Sequence, residues 1–307
     1  MADNGPCILV TGASGYVGRR LVARLAGRGL PVRALVRARP DAAELQATGA
    51  QAVTGSVLDP KAARRAVEGA VAVVHLVGAL IAPPARYEAV NYGSVAALLE
   101  AVAATGGSPR LIFLSFPGAS AGATNPYLRA KGRAEDAIVA SGLPYVILRS
   151  AHIYGPDAAF LHALVDAVSR RRALVIGGGK QRMQPVYVDD VVETLAGAVA
   201  RPDLARQTLE IGGPDTLPYE VLLSLVAGRL GRPFRPLRVP LPLLGVLAAF
   251  LERASPEPSL TRAALDVLAR DCLVDPSVAR SIFDLRLTPF REGLERSLPG
   301  LARRRSG

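Results

Sequence analysis

The sequence predicts an α/β fold: a doubly wound parallel sheet followed by a smaller, mostly helical lobe. Three observations predict it. Short apolar runs alternate with helical patterns through the first half. Those runs are apolar nearly throughout, not at every second residue. A glycine-rich turn sits at the first junction between the two kinds of segment. Alternating strands and helices favour βαβ units, and continuous apolar runs suit strands covered on both faces.

The strand-like runs are CILVTG, VRALVR, AQAVTG, VAVVHLVG, RLIFLSF and PYVILRS. Helical patterns separate them at residues 16–28, 41–48, 60–68, 87–105 and 125–141. Six strands before residue 150 fit a doubly wound sheet. Beyond Tyr154 the pattern loosens. ALVIGGG and TLEIGGP read as short strands, and helices follow YVDD and TLPYE. A Pro-rich passage, GRPFRPLRVPLPLLG, precedes helices at 241–253, 260–270 and 288–297. In YVDD, Asp189 and Asp190 read as helix N-terminal acids, not as a catalytic pair.

Length and composition agree with this. Of 307 residues half are hydrophobic, with no Trp and 5% aromatics, so Leu, Val, Ala and Ile must fill the core. The formal charge of +11 comes almost wholly from arginines. They are scattered, with clusters at 170–172 and 303–305, and no basic stripe is interleaved with aromatics, so nucleic acid is not the expected partner. Cys7 and Cys272 form neither a metal pattern nor a disulfide framework. The first residues lack a charged-then-apolar leader, and the longest apolar run, 239–251, is shorter than the ~20 residues that span a bilayer. The expected location is the cytoplasm, with the inner face of a membrane as the alternative. There the 239–251 segment and the basic tail LARRRSG would contact a protein complex or the membrane surface.

The glycine turn is TGASGYVG. It follows a strand and opens a helix, the context that a dinucleotide-binding loop of the Rossmann type requires. Gly12 permits the tight turn, Gly15 lets the backbone approach the pyrophosphate, and Gly18 lets the helix pack on the sheet. The first helical turn, with Tyr16 and Val17, presents free N–H groups to phosphate, and Thr11 and Ser14 offer hydroxyls. At the end of the second strand, where an acid would take a ribose 2′-hydroxyl, stands Arg37, with Arg39 near and Arg33 upstream. A guanidinium there favours NADPH, with NAD as the alternative. Residues 1–155 thus form the NAD(P)-binding core. Residues 156–307 return one or two elements to it and form the smaller lobe, facing substrate or partner.

TNPYLRAKGRAEDAI carries the candidate chemistry. Tyr127 and Lys131 are four apart and share a helical face. Asn125 is placed to cap the helix and Pro126 to begin it. The positive helix end and Lys131 both favour the phenolate of Tyr127, so a proton can move beside a hydride transfer. Lys131 can also bond the nicotinamide ribose. His75, inside an apolar run, reads as a satisfied core histidine.

The G-x-x-G-x-x-G spacing of TGASGYVG and the Tyr127/Lys131 pair resemble the short-chain dehydrogenase/reductase superfamily, its extended and atypical branches in particular. The resemblance implies further positions. Ser115 matches the first of two serines that end the fifth strand, a candidate catalytic hydroxyl, while Phe116 stands in place of the second. Ser120 lies nearby in sequence. Ser56, beside Val57, stands where the family has an aspartate facing the adenine. Leu76, Val77 and Gly78 pass the cofactor ribose. Asn91 stands where the family has a helix asparagine near the active site, and it reads equally as a polar residue at a helix kink. VILRSAHIYGP would bring Ile153 near the nicotinamide, and QPVYVDDVVETLAGAV is similar to the segment that returns the chain to the nucleotide core. LEIGGPDTLPYEVLLSLVAGRLGR and PSLTRAALDVLARDCLVD resemble the subgroup that includes the nucleotide-binding accessory subunit of respiratory complex I and its bacterial relatives.

Three functions follow as expectations. The first is an NADPH-dependent oxidoreductase acting on a carbonyl, alkene or quinone-like molecule. The second is a cofactor-binding structural or assembly subunit of a respiratory or membrane-proximal complex. The third is a nucleotide-sugar epimerase or dehydratase.

Overall fold

The computed structural model describes residues 5–170 and 172–303. Arg171, Arg304 and Arg305 lie outside the described residues, and with them the contacts expected of the basic tail. The chain divides into two compact units. The first comprises Met1–Ala79, Ala85–Arg149 and Val192–Leu209, and the second Leu80–Pro84, Ser150–Val191 and Glu210–Gly307.

The first unit is built on six strands: β1 (Cys7–Thr11), β2 (Val32–Val36), β3 (Gln51–Thr54), β4 (Ala70–His75), β5 (Arg110–Ser115) and β6 (Tyr145–Ser150). Between them run α1 (Tyr16–Gly27), α2 (Arg39–Gln46), α3 (Pro60–Val67), the single turn α4 (Arg86–Glu88), α5 (Ser94–Thr105) and α6 (Pro126–Ala140). The six strands pair in parallel in the order β6-β5-β4-β1-β2-β3. Residues Gln207–Ile211 return to extend the sheet beside β6. This is the doubly wound sheet that the alternation predicts, seven-stranded and Rossmann-like.

Strand parity explains the layering. Leu9, Leu35, Val73, Leu111, Phe113 and Ile147 share one face and are packed with Ala66, Val67, Leu98, Val102 and Ile138 from α3, α5 and α6. The neighbouring Val10, Ala34, Val74 and Ile112 are also buried, as strands sandwiched between helices require. Arg33 is buried in β2. It donates to Gln51 Oε1 (2.9 Å), to the carbonyl of Ala66 (3.0 Å) and to that of Glu68, tying off the end of α3.

Helix starts obey local chemistry. Asp59 caps α3 by accepting from Lys61 N–H (3.0 Å), with Pro60 first in the helix. Asn125 caps α6 by accepting from Tyr127 N–H (3.0 Å) and Leu128 N–H (3.3 Å), with Pro126 first. The helix expected over 87–105 is interrupted by a π-helical turn at Ala89–Gly93.

The helix Val188–Ala200 has its first turn, with both aspartates, in the second unit and its remaining residues in the first. Asp190 accepts from Thr288 N–H (2.7 Å) and Oγ1 (3.0 Å), and Asp215 accepts from Phe290 N–H (2.7 Å). These bonds anchor the start of the helix Phe290–Arg303. The Pro-rich passage, read as a separator, also holds a strand: Pro236–Val239 pairs in parallel with Ala173–Ile176. Helices Ala159–Ser169 and Ser277–Phe283 are not among those expected from the sequence, although Leu161, Leu164, Val165 and Val168 follow a helical period in the first. Both free cysteines are buried. No described helix is long and apolar enough to cross a membrane.

Candidate functional site

The glycine loop joins β1 to α1 at the carboxyl edge of the sheet. Gly12 has φ +70°, and a Cβ there would lie 2.9 Å from the backbone of Leu76. The loop is thus pressed against the end of β4, where Leu76 N–H donates to Thr11 O (3.1 Å). Gly15 caps α1 in an extended conformation with no capping side chain, and the first helical turn holds no acid. Such a helix end favours an anion. Gly18 packs against the loop itself: its Cβ would fall 2.2 Å from Gly12 O and 2.8 Å from Ala13 Cα. Val17 is buried, and Tyr16 carries Arg20 over its ring at 4.3 Å. Arg19 braces the loop. It donates to Ser14 O (2.7 Å) and pairs with Asp41 and Glu44 of α2. The loop has the form of a cradle that fits a dinucleotide: a side chain at Gly12 would strike the end of β4 and one at Gly18 the loop itself, so only glycine keeps the turn this tight against the helix end.

Thr11 corrects one expectation. It is wholly buried, and its hydroxyl lies 2.8 Å from His75 Nδ1. His75 Nε2 lies 3.1 Å from Ser94 Oγ, which donates to Val90 O (2.6 Å). Ser94 has spent its proton on a carbonyl, so His75 donates from Nε2 and accepts from Thr11 at Nδ1. Burial, with Lys131 adding to it, drives the His75 pKa down to about 3. His75 is therefore a neutral core clamp, and Thr11 turns inward toward it.

Arg37 is exposed at the end of β2, as is Arg39, and neither pairs with any described residue. Arg33 is committed to α3 and is not available there. Ser56 accepts from Leu58 N–H (3.2 Å) in a tight turn, and Val57 is buried in the core.

Across the sheet, Lys131 converges with Gly78 and Asn91. Lys131 Nζ donates to Leu114 O (2.8 Å) and lies 4.5 Å from the centre of the Phe113 ring. A Cβ on Gly78 would sit 3.0 Å from Lys131 Nζ and 3.1 Å from Asn91 Oδ1. Asn91 accepts from Ala79 N–H (3.0 Å) and donates to Ala79 O and Tyr87 O (both 3.1 Å). Its amide thus clamps the chain just beyond β4 from within the π turn, and it stands at the kink and beside Lys131 at once. Burial lowers the Lys131 pKa to about 8, against the opposing pull of Glu135.

The serine expectation is corrected. Ser115 is buried and donates to Glu135 Oε1 (2.5 Å), whose carboxylate is gripped by Arg149 at 3.1 and 2.6 Å. Its hydroxyl proton is therefore engaged within a buried network rather than offered to a substrate. Phe116 meets Tyr127 edge to face, ring centres 5.7 Å apart. Ser120 is exposed and accepts from Gly122 N–H (3.3 Å), so it supplies no substitute. The loop bearing it lies on α6 at Gly132, where a Cβ would fall 2.1 Å from the Ser120 backbone. Glu135, Arg149, Gly132 and Ser94 escape sequence reasoning. The available signal is a glycine and a glutamate inside the helix just after Lys131.

Ile153 lies in the second unit, in a two-residue strand paired with Val186–Tyr187.

A glycine cradle, a Tyr/Lys helix and a seven-stranded sheet stand together in a chain whose residues 8–212 match the model of the NAD dependent epimerase/dehydratase family. The chain belongs to that family. It is an extended short-chain dehydrogenase/reductase with an NAD(P)-binding fold. It is 29% identical to a ceramide reductase of Caulobacter vibrioides over 79% of this chain and 75% of the relative. It is equally 29% identical to the mitochondrial NADH dehydrogenase [ubiquinone] 1 alpha subcomplex subunit 9 of Arabidopsis thaliana, over 94% of this chain and 75% of that one. A 2-alkyl-3-oxoalkanoate reductase of Stenotrophomonas maltophilia is 27% identical over 94% and 97%. Among solved structures, UDP-glucose 4-epimerase of Thermotoga maritima superposes with a TM-score of 0.76 at 22% identity, over 97% of this chain and 99% of that chain. UDP-glucuronic acid 4-epimerase of Bacillus cereus, solved with UDP-glucuronic acid and NAD, gives 0.74 at 19%, over 96% and 99%. At these identities the two structures share the fold.

Proposed function

We propose that this family member is an NADPH-dependent reductase of an apolar carbonyl compound or activated alkene. The observation that carries the reading is the helix α6. It is capped by Asn125 so that Tyr127 stands in its first turn and Lys131 one turn later against Gly78. The bound nicotinamide would supply hydride. Tyr127 holds the proton that the substrate oxygen or carbanion takes up. Lys131, largely protonated at neutral pH, draws charge toward the phenol and offers N–H bonds to the ribose. Phe116, edge-on to Tyr127, lines that place with an apolar wall in place of a hydroxyl. Arg37 would take a 2′-phosphate. The nearby acids Asp41 and Glu44 are already paired with Arg19, and this supports NADPH over NADH. Two of the relatives above carry the word reductase in their names, which supports the reaction class.

One observation favours a second reading, a subunit that holds the cofactor without turning it over. Ser115 is engaged by Glu135 and Phe116 replaces its neighbour. The similarity to the complex I subunit also covers nearly the whole chain. The epimerase reading has the shared fold as its support.

The test is NADPH oxidation with a panel of ketones, enals and quinones, beside Tyr127→Phe. The reductase reading expects turnover that falls about 10²–10⁴-fold in the variant, with cofactor affinity unchanged. Equal background rates in both proteins would replace it with the second reading. In the same preparation Arg37→Ala should shift the NADPH/NADH affinity ratio about tenfold, the loss of a charge-assisted bond.

A further inference from the structure

In most amphipathic surface helices the apolar stripe faces the core. The helix Leu241–Ala254 does the reverse. Leu243, Val246, Leu247 and Phe250 recur at helical spacing on one stripe and are 63%, 71%, 47% and 64% exposed. Its buried residue is Ala248. Its one acid, Glu252, is turned in and paired with Arg262.

The ribbon that leads into the helix carries exposed apolar residues of its own. The register sets Leu237 beside Leu174 and Val239 beside Ile176. All four are partly or fully exposed, whereas Ala173 and Val175, on the opposite face, are buried. Leu241, 41% exposed and on the same side of the helix as the buried Ala248, packs over Gly177 at the end of the ribbon. On the ribbon's other face Arg238 pairs with Glu220. Two arginines stand at the far end of the same ribbon face. Arg172 and Arg235 are brought side by side where Ala173 N–H donates to Arg235 O (2.8 Å). Both are exposed and form no ion pair with any described residue, and Lys180, just past the glycines, is likewise exposed.

We propose that this surface docks on an anionic lipid bilayer. The helix would lie in the plane of the interface, Leu243, Val246, Leu247 and Phe250 entering the acyl boundary, Arg172 and Arg235 meeting lipid phosphates. Charge decides between occupants. A second copy would bring Arg172 and Arg235 against the same two arginines on a chain of formal charge +11, whereas anionic headgroups complement them.

The experiment is vesicle flotation of the full chain with phosphatidylcholine alone and with phosphatidylcholine containing phosphatidylglycerol. The wild type should float with the mixed vesicles about tenfold more tightly than with the neutral ones. The double variant Val246→Asp, Phe250→Asp should lose that binding and keep its circular dichroism spectrum, because both side chains already face water. The sequence has no Trp, so Phe250→Trp gives a single indole reporter whose emission should shift to the blue on mixed vesicles alone. The proposal fails if the double variant floats as well as the wild type, or if the indole emission of Phe250→Trp stays unshifted. It also fails if the wild type is a dimer in solution that the double variant makes monomeric.

Discussion

The glycine loop after β1 and the segment after β5 are neighbours in kind. Each leaves the carboxyl end of a parallel strand and opens a helix. Yet they carry information differently. The loop is built from backbone. Gly12 and Gly18 are needed because Leu76, Gly12 and Ala13 leave no room for a Cβ, while Gly15 is tight against Gly12 O at 3.1 Å, and its anion site is a helix end with no acid in the first turn. The segment after β5 is built from side chains, and there the direction of each group decides its use. Ser115 matches the family pattern by position, but strand parity turns it toward Glu135 and Arg149. A backbone site can be read from residue types and spacing. A side-chain site also needs the partners, and those arrive from far along the chain.

The largest test of this contrast is Gly18→Val. With Gly12 O 2.2 Å from the Cβ position, the helix must move off the loop. Overpacking of this kind costs about 1–3 kcal/mol, and the cradle should lose cofactor affinity by about a hundredfold. Cofactor titration with a melting curve checks both, and a variant that binds normally would show that the loop tolerates what its geometry forbids.

Phe116→Ser probes the other side. Removing a buried ring should destabilise the fold by about 3 kcal/mol, read by urea unfolding, and leave cofactor affinity intact. It also places a hydroxyl beside Tyr127, so kcat should rise. A fall as deep as that of Tyr127→Phe would mean that turnover needs the apolar wall at this position more than a hydroxyl.

A smaller effect comes from pH. Lys131 ionises near 8, down from an ordinary lysine because it is buried. Reductase turnover should therefore decline as pH rises through about 8, when the ammonium beside Tyr127 is lost. Stability moves oppositely. The unfolded chain holds this proton up to the usual lysine range, so between about 8 and 10.5 the group's contribution to stability rises with pH. Lys131→Met should remove the limb from the pH–rate profile. A limb that persists belongs to another group.

Much of the sheet is legible in the sequence because six nearly continuous apolar runs have few other uses, and the caps Asp59 and Asn125 announce their helices. The roles of Thr11 and Arg33 are not legible. Thr11 looks like a loop hydroxyl until His75, 64 residues later, claims it. Arg33 looks available for a phosphate until the end of α3 takes it. The strand Pro236–Val239 is hidden because Pro236 and the flanking Pro233 and Pro240 suggest a linker, and the first residue of an edge strand is where such a proline survives.

Synthesis gives β1 a history that the finished sheet conceals. It lies between β2 and β4, with Leu9 and Val10 wholly buried, yet β4 ends 64 residues after β1 does. At about 5–20 residues per second, translation needs roughly 3–13 s to deliver that second neighbour. Through that interval one edge of CILVT stands open on the nascent chain. A strand that ends in the interior of the finished sheet is, on the ribosome, an open edge.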